Sequence, residues 1–367
     1  NKGLSKKAFL SSGNENVLRA RFSDALFFIK EDNKINLNDR TEKLSKIIFY
    51  DGVGNLLDRS NRIKFLTEKI SEKTGKDISK IKDYLNLSNV DLTTEMVKEF
   101  PSLQGMVGGY YSQLAGINKE LCLAISQQYK HSFDSREKNH LSFSLSISQK
   151  LDNIFGFFAS RKKLSGAGDP YGIRRSVLSI INITIEKKID IDFYPLLFEC
   201  KNLYQQQKIK IDINFFDILQ FLNKRIVIYL NELGYSKNVI NANLLADSFN
   251  PYTIFLKTLK LSKFLRSSIG KSFLQAFKRL DSIVGKFDEK MELDKSLFIQ
   301  DEEINLNKVI NHCSDLISLK KNVLKIEDLK VLNDITKPIN DFLDNVTVNV
   351  EDKKLQYNRK VLLLKCK

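Results

Sequence analysis

The sequence predicts an all-α protein, and two observations lead to this fold class. Apolar side chains recur every three or four residues, which is the spacing of one helix face, and no convincing run of alternating strand residues is present. The spacing is clearest at Phe215, Leu219, Leu222 and Ile226, and Gly234 is suited to end that helix. With 367 residues, 42% of them hydrophobic and 28% charged, the chain is globular and long enough for two or three domains.

The predicted helices follow one another along the chain. The first is expected to begin at a capping box formed by Ser12 and Glu15, and its apolar face consists of Leu18, Phe22, Ala25, Leu26 and Ile29. Asp39 is placed to cap the second helix. Later helices are predicted near residues 94–100, 119–130, 141–158, 170–187 and 215–233. A basic helix follows Pro251, and a late helix should be kinked or divided by Pro338.

The net charge of +15 favours a polyanionic partner, with nucleic acid ahead of a membrane. Residues 251–290 hold nine Lys and Arg against three Asp and Glu, whereas residues 328–352 hold two against six, which predicts separate faces for a polyanion and for structure or a partner. Because no apolar run reaches membrane length and no signal peptide is recognised, we expect a cytoplasmic protein. The chain begins at Asn1 rather than Met, so we also expect a piece of a longer protein.

One stretch, residues 150–175, concentrates positive charge around a glycine-containing loop. An apolar helix ends in three cations, and a second helix that opens at Asp169 and Pro170 carries two arginines. Unpaired N–H groups at a helix start and bidentate arginine side chains both suit phosphate. A polyanion contact and a solvated basic turn are equally consistent with this pattern. The five cations are Arg161, Lys162, Lys163, Arg174 and Arg175.

Several common catalytic sites are disfavoured by the sequence. There is no G-x-x-x-x-G-K-[ST] loop, and Gly52 and Gly54 lack the third glycine and the βαβ context of a dinucleotide site. The three histidines, His131, His140 and His312, form no zinc motif and are too few to argue a Ser-His-Asp triad. The four cysteines are widely scattered, which predicts buried thiols rather than a zinc site or disulfides.

Five segments together resemble the bacterial-type glycyl-tRNA synthetase β subunit family. They are GNENVLRARFSDALFFIKED (13–32), TEMVKEFPSLQGMVGGYY (94–111), KLDNIFGFF (150–158), GDPYGIRR (168–175) and PINDFLDNVTVNVEDKKLQYNR (338–359). The segments occur in the family's order and extend over nearly the whole chain, so together they are highly specific. The family's β subunit is longer at its N-terminus, and this chain corresponds to its C-terminal half to two-thirds.

The resemblance implies the tRNA-recognition (β) subunit of glycine–tRNA ligase, which attaches glycine to its tRNA using ATP. In an α2β2 assembly the α subunit would activate glycine with ATP and Mg²⁺. This chain would bind glycine tRNA and the α subunit, with no DNA, membrane, cofactor or metal of its own. The implied domains are an HD-like helical domain at 1–168 on the acceptor-arm side, a connecting helical segment at 169–214, and a helical anticodon-binding domain of the arginyl-tRNA synthetase type at 215–367.

The HD-like part departs from a working phosphohydrolase. The His-Asp doublet of such enzymes falls at Val90 and Asp91, and Asp152 matches their last aspartate; valine cannot bind a metal. We therefore expect neither hydrolase activity nor a tightly held metal, and we expect Asp91 and Asp152 to serve in helix capping or hydrogen bonding. A metal-dependent HD phosphohydrolase and a non-catalytic helical scaffold for RNA or protein are the alternative functions.

The candidate tRNA contacts are cations on two predicted surfaces, and no residue is a catalytic candidate. The acceptor-arm surface consists of Arg19, Arg21, Arg161, Lys162, Lys163, Arg174 and Arg175. The anticodon-stem surface consists of Arg225, Lys257, Lys260, Lys263, Arg266 and Lys271. For Arg174 and Arg175 an internal ion pair is an equal alternative, and for the lysines a solvated helix face is. Phe215, Phe216 and Tyr229 are expected to pack mostly in the core rather than to stack on bases.

Overall fold

The structure is a computed structural model that describes residues 2–134, 136–162, 168–285, 292–318 and 329–366, with side chains from residue 14 onward except at 316–318 and 329–333. Within these ranges the regular structure is helical and contains no strand, so the all-α prediction is confirmed. One isolated bridge joins Ile48 to Asn55. None of the described helices is both long and apolar enough to cross a membrane.

The α-helices succeed one another with short connections, and 3-10 turns are interspersed, the longest at Lys82–Thr93. In chain order they are α1 Lys2–Asp32, α2 Leu37–Lys43, α3 Leu56–Lys73, α4 Glu95–Glu99, α5 Met106–Leu114, α6 Lys119–Gln127, α7 His140–Ala159, α8 Ile173–Glu186, α9 Tyr194–Gln206, α10 Phe215–Glu232, α11 Lys237–Asn241, α12 Pro251–Arg266, α13 Ser268–Val284, α14 Asp301–Ser318, α15 Leu329–Asn345 and α16 Lys353–Leu364.

The chain forms two compact units. Unit 1 consists of Asn1–Gly234 with Leu244–Phe255, and unit 2 consists of Tyr235–Asn243 with Leu256–Lys367. Helices α8 and α10 therefore share a compact unit with α3 and α7. The functional division into 1–168, 169–214 and 215–367 stays a prediction, because compactness alone does not test what each part binds.

Helix α7 is the central element of unit 1, and it is buried on nearly all sides. Its first half alternates apolar residues with serine, as a strand would, but Ser142, Ser144, Ser146 and Ser148 are all buried along with the apolar residues between them. The Ser148 hydroxyl donates to the backbone oxygen of Ser144 at 2.8 Å, which satisfies it inside the helix. Small serines thus allow neighbouring helices to pack closely around α7.

A buried ion pair joins the end of α1 to α2, α4 and α5. Arg40 donates to the Asp32 carboxylate at 3.0 Å, and both side chains are almost fully buried. The same carboxylate accepts hydrogen bonds from the backbone N–H groups of Glu95 and Met96 at the start of α4 and from the Tyr111 hydroxyl on α5. Asp32 therefore compensates Arg40 and caps α4 at once.

Helix α1 differs from its prediction in two respects. It begins at Lys2 and continues through the expected capping box at Ser12. Of the predicted apolar face, Ala25 and Ile29 pack against the core, whereas Leu18, Phe22 and Leu26 lie four residues apart and are 55 to 65% exposed. The helical periodicity was correct, but it did not distinguish a face packed on the core from a face open to solvent.

Unit 2 has its own apolar core between α13, α14, α15 and α16, and it also contains a buried ion pair. Arg359 on α16 donates to the Glu303 carboxylate on α14 at 2.9 Å. The other oxygen of Glu303 accepts the N–H groups of Ile299 and Gln300, so this carboxylate caps its own helix. Pro338 lies inside α15, which continues through it instead of dividing there.

The close packing of α5 on α6 leads to a stability prediction. A Cβ atom at Gly109 would lie 2.6 Å from the backbone oxygen of Cys122 and 2.8 Å from the Cβ of Ser126, so Gly109→Ala must push the helices apart. We expect it to lower the free energy of unfolding by about 1–3 kcal/mol, despite the better helix propensity of alanine. Urea denaturation measures this, with the exposed Gln113→Ala in the same helix as the control; equal stability of the two variants would contradict the packing.

Candidate functional site

Asp152, the match to the last aspartate of an HD motif, lies in a fully buried ion pair. Its two carboxylate oxygens accept hydrogen bonds from Nε and Nη2 of Arg62 at 2.6 and 3.2 Å, and neither side chain is exposed to solvent. Burial by itself lowers the pKa of Arg62, but the adjacent Asp152 charge and the Tyr204 side chain raise it, with a net increase. Arg62 is therefore charged at every relevant pH, and Asp152 is the counterion that the guanidinium requires.

Further side chains contact the Arg62 guanidinium. The guanidinium lies 3.9 Å from the ring centre of Tyr204, and Nη1 donates to Gln207 Oε1 at 2.7 Å. Arg59, one helical turn earlier on α3, lies 3.6 Å from Asp152 and donates to Gln149 on α7. Arginines of α3 thus link α7 and the end of α9 through a shared polar network.

Asp91, the other carboxylate singled out by the resemblance, lies in the 3-10 turn Lys82–Thr93 and is buried against the start of α5. Its Oδ2 accepts the backbone N–H of Gly105 at 2.5 Å, and Gly105 is the residue that precedes α5. A Cβ at Gly108 would lie 3.1 Å from the Asp91 carboxyl carbon, so the glycine lets the carboxyl group approach the helix. Burial raises the pKa of Asp91 to about 6, against the opposing effect of the N–H groups of Gly105 and Gly108.

Both carboxylates therefore have the hydrogen-bonding and capping roles that the sequence predicted. The described residues contain no group of three or more His, Cys, Asp or Glu side chains placed to hold a metal ion. The donor set does not suit a metal at Asp152 either, because a cation there would have to displace the Arg62 guanidinium from both oxygens. This geometry disfavours the alternative of an HD phosphohydrolase.

Lys150 is a buried cation beside this network. It is 6% exposed, and its ammonium donates to the hydroxyl of Ser146 at 2.8 Å and to the backbone oxygen of Gln128 at 3.2 Å. These partners are neutral, so burial lowers the pKa of Lys150 to about 7. Burial also lowers the pKa of nearby His131, and the charges of Lys150 and Arg175 lower it further.

On the acceptor-arm surface, most arginines are paired with an acidic neighbour. Arg19 pairs with Glu15, Arg21 with Glu99, Arg161 with Asp212 and Arg175 with Asp169, at N–O distances of 2.8, 2.8, 3.0 and 3.6 Å. These four arginines are exposed, so each pair is worth little to stability and its arginine can exchange to a phosphate at small cost. Lys163 lies outside the described residues.

The start of α8 differs from the predicted phosphate-binding helix end. The helix begins at Ile173 after Gly172, which has φ 66°, and the Asp169 carboxylate accepts the backbone N–H groups of Arg174 and Arg175. These N–H groups are thus occupied by a carboxylate of the chain itself. An internal ion pair was the alternative to a phosphate contact for Arg174 and Arg175. Such a pair is present at Arg175, while Arg174 Nη1 donates to the Gly168 backbone oxygen.

Arg225 belongs to a different compact unit from the other cations of the anticodon-stem surface. It belongs to unit 1, where its guanidinium lies 5.3 Å from the ring centre of Phe221. Burial lowers the pKa of Arg225, and the positive charge of Arg174 lowers it further, against the effect of Asp169. The structure therefore brings Arg225 to the side of Arg174, with which the sequence did not group it.

The remaining cations of the anticodon-stem surface lie on α12 and at the start of α13, in unit 2. Lys257, Lys260 and Lys263 are three residues apart on α12 and so share one side of it. Within the part of the chain that the structure describes, these three lysines, Arg266 and Lys271 form no ion pair with a carboxylate. Their charge is thus uncompensated by close contacts, unlike that of most arginines on the acceptor-arm surface.

The arginines that organise the buried network were missed as site residues in the sequence. The buried stripe of α3 includes Leu66 and Ile70. Arg62 lies four residues before Leu66, and Arg59 lies three residues before Arg62, so both arginines are on the same stripe. A cation at an apolar position of a helix is the available signal, because burial of an arginine requires a partner. Its partner, Asp152, was identified only through the resemblance.

The chain is all-α, and α12 presents a row of cations that form no ion pair with a described carboxylate, which is the kind of basic stripe found in nucleic-acid-binding proteins. A family model described as "Glycyl-tRNA synthetase beta subunit" matches residues 1–245. The chain belongs to that family.

Relatives extend the similarity over almost the whole sequence. The chain is 34% identical to a glycine–tRNA ligase beta subunit of Sulfurihydrogenibium sp. over 99% of its own length and 52% of that protein's. It is 34% identical to the same subunit of Persephonella marina, over 99% and 54%, and 34% identical to that of Rickettsia typhi, over 96% and 52%. The chain thus spans about half the length of the curated relatives it matches.

Removal of one partner from the buried pair of Arg62 and Asp152 should strongly destabilise unit 1. Asp152→Asn leaves the guanidinium buried without its counterion, and we expect the free energy of unfolding to fall by about 3–5 kcal/mol. Glu99→Gln, which breaks the exposed pair with Arg21 in the same unit, should cost less than about 1 kcal/mol. Chemical denaturation followed by far-UV circular dichroism measures the free energy of unfolding of both variants. Similar losses in the two variants would show that the buried pair has no special role.

Lys150 should make stability depend on pH. The unfolded chain keeps the ordinary lysine pKa of 10.5, while the folded state has a pKa of about 7, so the unfolded state binds more protons between these values. Stability should therefore rise with pH across this window, by up to about 1.4 kcal/mol per pH unit. The difference between wild type and Lys150→Met, measured by urea denaturation from pH 7 to 9.5, should show this slope. The exposed Lys82→Met is the control; a slope that survives in Lys150→Met would refute the assignment.

Proposed function

We propose that this chain is the tRNA-recognition part of a glycine–tRNA ligase β subunit and that the complete enzyme attaches glycine to its tRNA using ATP. Membership of the family and the names of the relatives support this proposal. In it, an α subunit activates glycine with ATP and Mg²⁺ within an α2β2 complex in the cytoplasm. The present chain supplies tRNA contacts and no catalytic residue.

The row of cations on α12 is the observation that carries the proposal. Lys257, Lys260 and Lys263 lie on one side of the helix, and Arg266 continues the positive charge to its end. A helix side of this kind can follow the phosphates of an RNA stem, and each neutralised phosphate releases counterions, which makes binding depend on salt. We assign this row to the anticodon stem.

The acceptor-arm surface has a different character in this proposal. Its arginines pair with exposed acidic partners, and because such pairs are weak the arginines can transfer to phosphate at small electrostatic cost. Arg225 joins this surface, since it lies beside Arg174. Phosphate contacts of both surfaces would position the tRNA, and base contacts would specify it.

The test is a salt titration of the binding of this 367-residue chain to glycine tRNA and to a non-cognate tRNA. Replacing Lys257, Lys260 and Lys263 together by Gln should weaken binding and reduce the slope of log Kd against log salt by up to about three units. The matched control is the replacement of Lys43, Lys46 and Lys82 by Gln, because these exposed lysines lie in unit 1 and belong to neither surface.

A preference for glycine tRNA that survives at physiological salt would support recognition of tRNA identity by this part of the subunit. An unchanged salt slope in the Lys257, Lys260 and Lys263 variant would remove the row on α12 from the interface. Absence of RNA binding together with binding to the α subunit would replace the proposal by the scaffold alternative.

A further inference from the structure

An exposed tyrosine is held rigidly at the edge of the acceptor-arm surface. Tyr171 is 39% exposed, and its ring centre lies 5.5 Å from that of Phe157 and 5.8 Å from that of Tyr50, both of which are buried. The backbone oxygen of Tyr171 accepts a hydrogen bond from Asn153 Nδ2 at 3.2 Å. The Tyr171 ring is therefore held by the two buried rings and by the hydrogen bond of its own backbone. The tyrosine side chain then loses little conformational entropy when a ligand binds.

The ammonium group of Lys162 lies against the same tyrosine. Its Nζ is 4.5 Å from the ring centre of Tyr171, 5.2 Å from that of Tyr50 and 3.3 Å from the Tyr171 hydroxyl oxygen. Among the described residues Lys162 forms no ion pair with a carboxylate, whereas its neighbour Arg161 pairs with Asp212. Two aromatic rings thus position the lysine without neutralising its charge.

The two side chains together fit one class of ligand. An exposed aromatic ring offers a stacking surface to a planar base, and an uncompensated ammonium group offers a contact to a phosphate. In a duplex the bases are stacked on each other and are not available to a protein side chain, whereas unpaired nucleotides are recognised by such stacking. An acidic peptide would use the lysine and leave the ring without a function.

We propose that Tyr171 and Lys162 form a binding site for one unpaired nucleotide of the tRNA, with the base against the Tyr171 ring and a phosphate at the Lys162 ammonium. This inference rests on the proposed function and adds to it a residue that the charge pattern does not identify. The acceptor-arm surface then recognises single-stranded RNA as well as phosphate charge.

The experiment measures the binding of glycine tRNA to the 367-residue chain by fluorescence anisotropy over a range of salt. Tyr171→Ala should weaken binding by roughly 5- to 150-fold with an unchanged salt slope, because a stacking contact releases no counterions. Tyr171→Phe keeps the ring and should stay within about twofold of wild type. Lys162→Gln should reduce the salt slope by about 0.7.

Matched variants separate stacking from local folding. Tyr171→Leu keeps an apolar side chain over Phe157 and Tyr50 but has no ring, so it should weaken binding as Tyr171→Ala does while thermal melting stays close to wild type. Tyr84→Ala removes a tyrosine of similar exposure elsewhere in unit 1 and should leave binding unchanged. A blunt RNA duplex should bind wild type and Tyr171→Ala equally.

Three results would overturn the inference. Binding of tRNA to Tyr171→Ala as tightly as to wild type would refute the site while leaving the α12 contacts and the proposed function intact. A loss in Tyr171→Phe equal to that in Tyr171→Ala would show that the hydroxyl and its bond to Lys162 matter, and stacking does not. If the chain bound an acidic peptide more tightly than RNA, and if that binding required Lys162 and Tyr171, the site would be assigned to a protein partner. Failure of the wild-type chain to bind any tRNA would instead contradict the proposed function.

Discussion

The burial of Arg62 is the constraint on which the architecture of unit 1 depends. A guanidinium removed from water must find a counterion and partners for its N–H groups, and here they come from α7 and α9. Because Asp152, Gln207 and Tyr204 must all converge on one planar group, the positions of these helices relative to α3 are fixed more narrowly than apolar packing alone would fix them. The same principle holds at Arg40 in unit 1 and at Arg359 in unit 2.

The buried acids of these pairs do not account for the positive charge of the chain. Asp32, Asp152 and Glu303 are each occupied inside the fold, and each accepts more than one hydrogen bond there. Each of these acids is buried together with an arginine, so the excess of 59 Lys and Arg over 44 Asp and Glu is carried by the rest of the chain. The cations of α12 belong to this excess, which favours the proposed RNA contact.

Much of the helical framework could be predicted from the sequence, because amphipathic periodicity is a local property. Helix α10 spans Phe215–Glu232 and is followed by Gly234 with φ 90°, close to the prediction. The basic helix after Pro251 was likewise predicted. The start of α1 was wrong, since a capping box at Ser12 competes with helix continuation and local sequence does not decide between them.

The candidate site was less accessible to sequence reasoning, because it depends on contacts between distant residues. Arg225 and Arg174 are brought together by the packing of α10 near α8, which no spacing rule indicates. The partner of Arg62 lies 90 residues away at Asp152. Even the role of Asp169 depended on geometry, since its carboxylate satisfies the N–H groups that were expected to bind an anion.

The pair of Arg62 and Asp152 also has a consequence for how this sequence can change over evolutionary time. Loss of either residue alone leaves a charge stranded in the core, so a lineage that exchanges them one at a time must pass through an unstable intermediate. Two apolar residues of similar volume can be as stable as the pair, yet that state is separated from the present one by a barrier in sequence space. Positions 62 and 152 are therefore expected to be either retained together or replaced together.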